Sequence, residues 1–222
     1  MTPDRVTRVQ VADDHPVVRT GVRLIVESAP DCEFLGETVD AATTFAAVEA
    51  HPPDVLVLDL WMGGNDGLDL IRRLCATHPQ TRILIYSMAD EQVFGPRALR
   101  AGAAGFLRKD RGLDELLQAI RTVAGGRRSI SAALADELME AGLRGVHSGE
   151  TRPSELSALT DRELQVLRLI GRGVSSARIA ETLNISPKTV GAHRENLKNK
   201  LRLADAAELA QRAASLLEHR LL

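Results

Sequence analysis

Five times within the first 125 residues, a short apolar run is paired with a longer segment of helical period. The runs are Val9 to Ala12, Phe34 to Gly36, Val55 to Leu58, Ile83 to Tyr86 and Gly105 to Leu107. The periodic segments follow at Pro16 to Ser28, Ala41 to Ala50, Leu68 to His78, Pro96 to Ala101 and Leu113 to Ala124. No other feature of the chain constrains the fold as much. Strands separated by helices pair in parallel, because a parallel pair needs a long crossover, and the crossover helices then cover both faces of the sheet. The expected class is α/β, a five-stranded parallel, doubly wound sheet, and the chemistry of such sheets sits at the carboxyl ends of the strands. Gly95-Pro96 interrupts the fourth helical segment, so that helix is expected to start near Pro96 after an extended loop.

Beyond residue 125 the pattern changes. Gly125-Gly126-Arg127-Arg128 and the stretch Gly145 to Glu155 are rich in turn formers and charge, and they flank one helical pattern, Ser131 to Leu143. An all-helical unit then begins at Leu159-Thr160, where Thr160 and Glu163 have the spacing of a capping box. Gly171 and Gly173 close its first helix, and a short helix from Ser176 to Leu183 leads into a turn at Asn184-Ile185. Ser186 and Pro187 supply an N-cap and a preset first position for a helix running to about Leu201. Two helices joined by so short a turn form a helix-turn-helix. A final helix is expected over Ala206 to Leu217. The organisation read from this is residues 7–125 as the sheet domain, 126–153 as a linker with one helix, and 154–219 as a small all-α domain.

Charge divides the chain in the same place. From Ser154 onward there are 11 Lys and Arg against 8 Asp and Glu, whereas residues 1–153 hold 17 against 22. Asn184 to Ala204 carries Lys188, Arg194, Lys198, Lys200 and Arg202 against Glu195 alone, a candidate phosphate-binding face. Aromatic residues make up only 3% of the chain, which argues against stacking platforms for single strands. No apolar stretch approaches the roughly 20 residues of a membrane helix. The N-terminus lacks the pattern of a signal peptide. Cys32 and Cys75 stand alone, as reduced thiols do. A protein of the cytoplasm, without a membrane partner, is expected.

The strand ends carry the chemistry. Val9 to Ala12 runs into Asp13-Asp14, Val55 to Leu58 into Asp59, Ile83 to Tyr86 into Ser87, and Gly105 to Leu107 is followed by Lys109. Crowded carboxylates resist full ionisation unless a hard cation sits among them, and oxygen donors suit magnesium. A lysine and a hydroxyl opposite can hold the oxygens of a tetrahedral anion. The set fits phosphoryl transfer to a carboxylate, with Asp59 as nucleophile. Each residue alone has a structural explanation: Asp13 or Asp14 as a helix cap, Ser87 as a strand end, Lys109 as a surface lysine. Their joint placement at successive strand ends outweighs these.

With Val11-Ala12-Asp13-Asp14-His15-Pro16, Val57-Leu58-Asp59-Leu60-Trp61-Met62, Asp66-Gly67, Ser87-Met88, Ala101-Gly102-Ala103 and Gly105-Phe106-Leu107-Arg108-Lys109-Asp110, the chain from about Arg8 to Ala124 resembles the receiver domain of bacterial response regulators. The resemblance implies that Asp59 takes a phosphoryl group from a sensor histidine kinase. It implies that Asp14, Asp59 and the Trp61 carbonyl bind Mg2+, with Asp13 acting largely through water, and that Ser87 and Lys109 grip the phosphoryl oxygens while Phe106 is the switch aromatic. Gly63 stands where the family usually has proline, which implies a looser loop.

In the rear domain, Val190, Leu197 and Leu201 fall on one face of the second helix of the helix-turn-helix, and Lys188, Ala192, Glu195 and Asn199 on the other. The polar face is the one that would enter a major groove. A plain helical bundle accounts poorly for a Ser-Pro cap followed at once by basic residues. Leu159-Thr160-Asp161-Arg162-Glu163, Ile179-Ala180-Glu181 with Leu183, Ile185-Ser186-Pro187-Lys188-Thr189-Val190, His193 and Lys200-Leu201 resemble the LuxR-type DNA-binding domain, over about Ser154 to His219. The two halves in this order resemble the NarL/FixJ class of two-component response regulators. That resemblance implies a transcription regulator rather than an enzyme, with promoter DNA as partner and a homodimer when phosphorylated. The DNA-contacting candidates are Ser186, Lys188, Thr189, Gly191, Ala192, His193, Glu195, Lys198 and Lys200; Gly191 and Glu195 depart from the basic residues relatives often place there. Two other classes compete. A haloacid-dehalogenase-like phosphatase would need an aspartate two residues after the nucleophile, where this chain has Trp61. An autoinducer-binding regulator would need an apolar pocket in place of the acidic rim.

Overall fold

The computed structural model describes residues 6–62, 65–144, 155–219 and 221–222. Gly63, much of the turn-rich stretch from Gly145, and the expected boundary at Ser154 lie outside the described residues. The chain divides into two compact units, Met1–Gly142 and Leu143–Leu222.

In the first unit, β1 (Thr7–Ala12), β2 (Cys32–Thr38), β3 (Val55–Leu58), β6 (Arg82–Ser87) and β7 (Gly105–Arg108) form one parallel sheet in the order β2-β1-β3-β6-β7. β3 is apolar and buried throughout, as a central parallel strand covered on both faces must be. The intervening helices are α1 (Pro16–Glu27), α2 (Ala41–Ala50), α3 (Gly67–Thr77), α4 (Glu91–Ala101) and α5 (Leu113–Ala124). One face of the sheet packs Val9, Val11, Val55 and Val57 against Val22 and Val26 of α1 and Leu116, Ile120 and Val123 of α5. The fold class read from the sequence is the one observed.

Two details differ. A short antiparallel hairpin, β4 (Trp61–Met62) and β5 (Asn65–Asp66), follows β3, and its two-residue strands are too brief to leave a periodic signal. Gly67 closes this excursion, because a Cβ there would lie 2.6 Å from the Leu60 carbonyl oxygen. The second difference is a correction. α4 does not wait for Pro96 but begins at Glu91, with Pro96 inside it. Asp90 caps it, accepting from the N–H groups of Gln92 and Val93 at 2.8 and 3.2 Å. Val93, Phe94, Ala98, Leu99 and Ala101 are buried along the helix, and that burial outweighs the single backbone bond a proline removes.

Gly95 also proves to be a seat rather than a breaker. A Cβ on it would come within 2.6 Å of the Leu134 side chain, which is fully buried. Leu134 belongs to α6 (Ala132–Arg144), in the stretch read as a linker. Just before α6, Ser129 bridges Gly105 in parallel: its carbonyl accepts from the Phe106 N–H at 2.8 Å and its own N–H donates to Ala104 at 3.2 Å. The Ser131 N–H donates to Glu91 at 3.0 Å. The segment after α5 therefore runs along the edge of β7 and onto α4.

The second unit is helical: α7 (Asp161–Gly171), α8 (Ser176–Thr182), α9 (Pro187–Leu201) and α10 (Ala206–Glu218). The capping box is formed, with the Glu163 N–H donating to Thr160 Oγ1 at 3.2 Å and the Thr160 N–H to Glu163 Oε2 at 2.7 Å. Ser186 caps α9 through the Thr189 N–H at 3.0 Å, with Pro187 in the first turn. Gly171 lets α7 approach α10 closely, since a Cβ would lie 2.6 Å from the Ala213 carbonyl oxygen.

Candidate functional site

The four strand ends converge. Asp13 follows β1 and Asp59 follows β3, and the Asp59 N–H donates to the Ala12 carbonyl at 2.9 Å, which locks the two ends in register. Ser87 closes β6 and Lys109 follows β7, tied together by the Lys109 N–H donating to the Ser87 carbonyl at 2.9 Å. Asp13, Asp59 and Ser87 are 1%, 4% and 0% exposed, so their polar atoms answer to one another rather than to water.

Ser87 Oγ donates to Asp59 Oδ1 at 2.6 Å, and Lys109 Nζ donates to Asp59 Oδ2 at 2.9 Å. The same ammonium lies 2.6 Å from Asp13 Oδ2. Burial pushes the Asp59 carboxyl above its ordinary range; the Lys109 charge works against this and the Asp13 charge adds to it. For Lys109, burial favours the neutral amine, but the charges of Asp59 and Asp13 outweigh it and hold the ammonium above its usual value. Asp14 is exposed beside this pair. Ligand atoms of Asp13, Asp14, His15 and Asp59 all lie within 4.8 Å of one another. His15 was not among the sequence candidates, although its place directly after two aspartates was the available signal.

Phe106 is 1% exposed, its ring turned inward from β7. Trp61 is half-buried in β4, with its ring edge-on to Phe94 of α4 at 5.4 Å between centroids.

In the second unit, α9 buries Val190, Leu197 and Leu201 and exposes Lys188, Thr189, Gly191, Ala192 and Glu195. A side chain added at Gly191 would meet nothing within 4 Å, so this face is open. Ser186 is exposed, its hydroxyl 2.8 Å from that of Thr189 within the cap. His193 and Lys198 are half-buried, and Lys198 pairs with Glu195 at 2.9 Å. Lys200 is turned back onto the domain, 2.7 Å from Glu163 and 3.3 Å from the Ala158 carbonyl. Burial works to raise the Glu163 carboxyl, but the bonds from Lys200 and Thr160 prevail and hold it below its ordinary value.

The response regulator receiver domain family matches residues 9–121, and the luxR family of bacterial regulatory proteins matches residues 157–213. The chain belongs to the two-component response regulators with a LuxR-type DNA-binding domain, the NarL/FixJ class. The oxygen regulatory protein NreC of Staphylococcus haemolyticus is 35% identical over 208 residues, 93% of this chain and 96% of that protein. Among solved structures, the RcsB response regulator of Salmonella typhimurium superposes with a TM-score of 0.73 at 25% identity, over 95% of this chain and 98% of that one. A LuxR-family two-component response regulator from Aurantimonas sp. SI85-9A1 gives a TM-score of 0.57 at 33% identity, over 62% of this chain and 99% of that one.

This response regulator is thus a phosphorylation-dependent, DNA-binding transcription regulator and not an enzyme, which removes the phosphatase alternative. Receiver domains bind Mg2+ at an acidic pocket, and here that pocket is the cluster of Asp13, Asp14 and Asp59. The donor set fits the ion: three carboxylates supply hard oxygen ligands, and the partial exposure of Asp14 leaves a side open to water, which Mg2+ retains. Among the described residues, no helix is long and apolar enough to cross a membrane.

Proposed function

We propose that Asp59 is the phosphoryl acceptor, that Mg2+ held by Asp13, Asp14, Asp59 and the Trp61 carbonyl is required, and that a sensor histidine kinase is the donor. The observation that carries this reading is the Asp59 carboxylate itself, buried, with Ser87 on one oxygen and Lys109 on the other. In the transfer, an Asp59 oxygen forms the new bond to phosphorus as the bond to the donor nitrogen breaks. When bound, Mg2+ supplies positive charge against the phosphoryl oxygens. Lys109 Nζ, already poised between Asp13 and Asp59, neutralises part of the same charge, and the Ser87 hydroxyl gives up its bond to Asp59 to hold a phosphoryl oxygen. Phe106 follows Ser87 as the switch aromatic.

The output is a change in promoter binding by the second domain, residues 154–219, joined to the receiver, 7–125, through 126–153. α8 and α9 form the helix-turn-helix, with Lys188, Thr189, Gly191, Ala192, His193, Glu195 and Lys198 toward the duplex and Ser186 positioning the helix start. Lys200 acts through Glu163 in fixing α9 on α7. Phosphorylation favours a homodimer, by shifting a pre-existing equilibrium. The protein acts in the bacterial cytoplasm, where kinase and promoter are both accessible.

Incubation with acetyl phosphate and Mg2+ tests the assignment. Covalent phosphate is expected on the wild-type chain and is expected to vanish in Asp59→Asn or with EDTA. Equal labelling of Asp59→Asn would mean another residue is the acceptor.

A further inference from the structure

His15 occupies the N-cap position of α1, yet its side chain caps nothing. Instead, Nδ1 lies 2.8 Å from Asp14 Oδ1 and 3.1 Å from Asp13 Oδ1. The position is held from several sides. The His15 N–H donates to Asp13 Oδ1 at 2.9 Å, Arg19 donates to the Asp13 carbonyl at 2.9 Å, and Pro16 starts the helix at once. Asp13 Oδ2 is taken by Lys109, so Oδ1 is the oxygen left facing the imidazole.

A single ring nitrogen between two carboxylates is a poor hydrogen-bond arrangement, since one N–H cannot align with both. The spacing suits coordination. Neighbouring ligands of an octahedral ion with bonds of about 2.1 Å stand about 3.0 Å apart. The distances from Nδ1 to Asp13 Oδ1 and Asp14 Oδ1, 3.1 and 2.8 Å, match that spacing, and the 67% exposure of the His15 side chain leaves the outer side to water.

We propose that His15 is a nitrogen ligand of the receiver cation site, added through Nδ1, with the proton on Nε2, to the three carboxylates and the Trp61 carbonyl, and that it makes this site favour first-row transition ions such as Mn2+ and Co2+ more than oxygen donors alone would. The proposal rests on reading the acidic rim as a divalent-cation site. Mg2+ is hard, dehydrates reluctantly and gains little from an imidazole. Mn2+ and Co2+ accept imidazole nitrogen readily, Co2+ the more strongly. His15 is then the residue that sets which ion the site holds when both kinds are present.

The test uses the full chain, with Mg2+ alone and Co2+ alone titrated by calorimetry in mildly alkaline buffer, for the wild type, His15→Ala and His15→Gln. Both variants are expected to weaken Co2+ binding by roughly tenfold or more while changing Mg2+ binding by less than about twofold. Independently of any variant, the Mn2+-loaded wild type is expected to show nitrogen modulation in the electron spin echo. Equal losses for the two ions in the variants would mean that His15 acts only by charge or packing, and absence of the nitrogen signal from Mn2+ bound to the wild type would equally overturn the proposal. A wild-type chain that binds neither ion would instead refute the cation-site reading on which it stands.

Discussion

Lys109 touches both buried carboxylates of the rim, at 2.6 Å from Asp13 and 2.9 Å from Asp59, with all three side chains at most 7% exposed. Lys109→Met keeps the volume and removes the charge, so two carboxylates are left facing each other where water cannot screen them. Removing one partner from a buried ion pair typically costs about 3–5 kcal/mol, a large share of the roughly 5–15 kcal/mol that stabilises a domain. The loss has a defined pH dependence. The Asp59 carboxyl is already raised in the native state, and Lys109 is what restrains it. Without that charge the native carboxyl rises further. A group raised in this way binds its proton more tightly in the native than in the unfolded chain, where an aspartate titrates near about 3.9. Its penalty is therefore absent below that value, grows as pH rises towards the native value and levels off above it. The deficit of Lys109→Met relative to wild type is expected to be largest near neutrality and to shrink on acidification. Mg2+ is expected to restore part of it, since an ion bound only by the native state stabilises that state. Urea unfolding of the intact chain followed by Trp61 fluorescence gives the measurement, because Trp61 is the sole tryptophan and reports on the first unit alone. Adding Asp59→Asn to Lys109→Met is expected to recover stability, leaving a single carboxylate. A deficit indifferent to pH, to Mg2+ and to Asp59→Asn would show that Lys109 stabilises by packing and that the charge argument is wrong.

Three further outcomes are expected. The Trp61 ring is held edge-on to Phe94, two residues after the proposed acceptor, and an apolar side chain there would exclude hydrolytic water without orienting it; on that reading Trp61→Asn is expected to hasten loss of the Asp59 phosphate roughly tenfold, about 1.4 kcal/mol of barrier, and equal decay rates after donor removal would leave Trp61 a packing role only. A fragment from Ser154 onward is expected to fold and bind duplex DNA, with Lys188→Ala weakening every sequence alike and reducing the salt slope by about one, as filter or fluorescence titration over a salt series would read. Glu163 is held below its ordinary value, so its contribution is present above the unfolded glutamate value of about 4.3 and is lost as pH falls through the lower native one. Lys200→Met is expected to reduce that acid-side loss in the fragment's thermal stability, and an unchanged pH profile would refute the pairing as its source.

What was legible in the sequence was what periodicity and composition encode. β3 and β6 announce themselves because both of their faces are covered, and the caps at Thr160 and Ser186 because a capping residue must sit at the boundary it serves. Asp13, Asp59, Ser87 and Lys109 were found together because each directly follows or closes a strand. What escaped depended on distant partners. Pro96 and Gly95 read as breakers only until Leu134, 39 positions on, is seen to need the space at Gly95. Lys200 read as one of a basic cluster, although the carboxylate that claims it sits 37 residues earlier on another helix. His15 escaped for the opposite reason: its neighbours were visible, but a side chain leaving a helix N-cap position carries no directional signal in sequence.

The edge of β7 has a bearing on how the chain leaves its receiver. The Phe106 amide is bonded to Ser129, the α4 residue Glu91 is bonded to Ser131, and Leu134 fills the hollow at Gly95. The exit segment is thus laced to the strand bearing the inward aromatic and to the helix that follows Ser87. Rearrangement at the acceptor does not have to cross the hydrophobic interior to reach the outgoing chain. A rearrangement that displaced Phe106 or α4 would reach the chain within a few residues of where α6 starts, and weakening any of these contacts is expected to loosen that link.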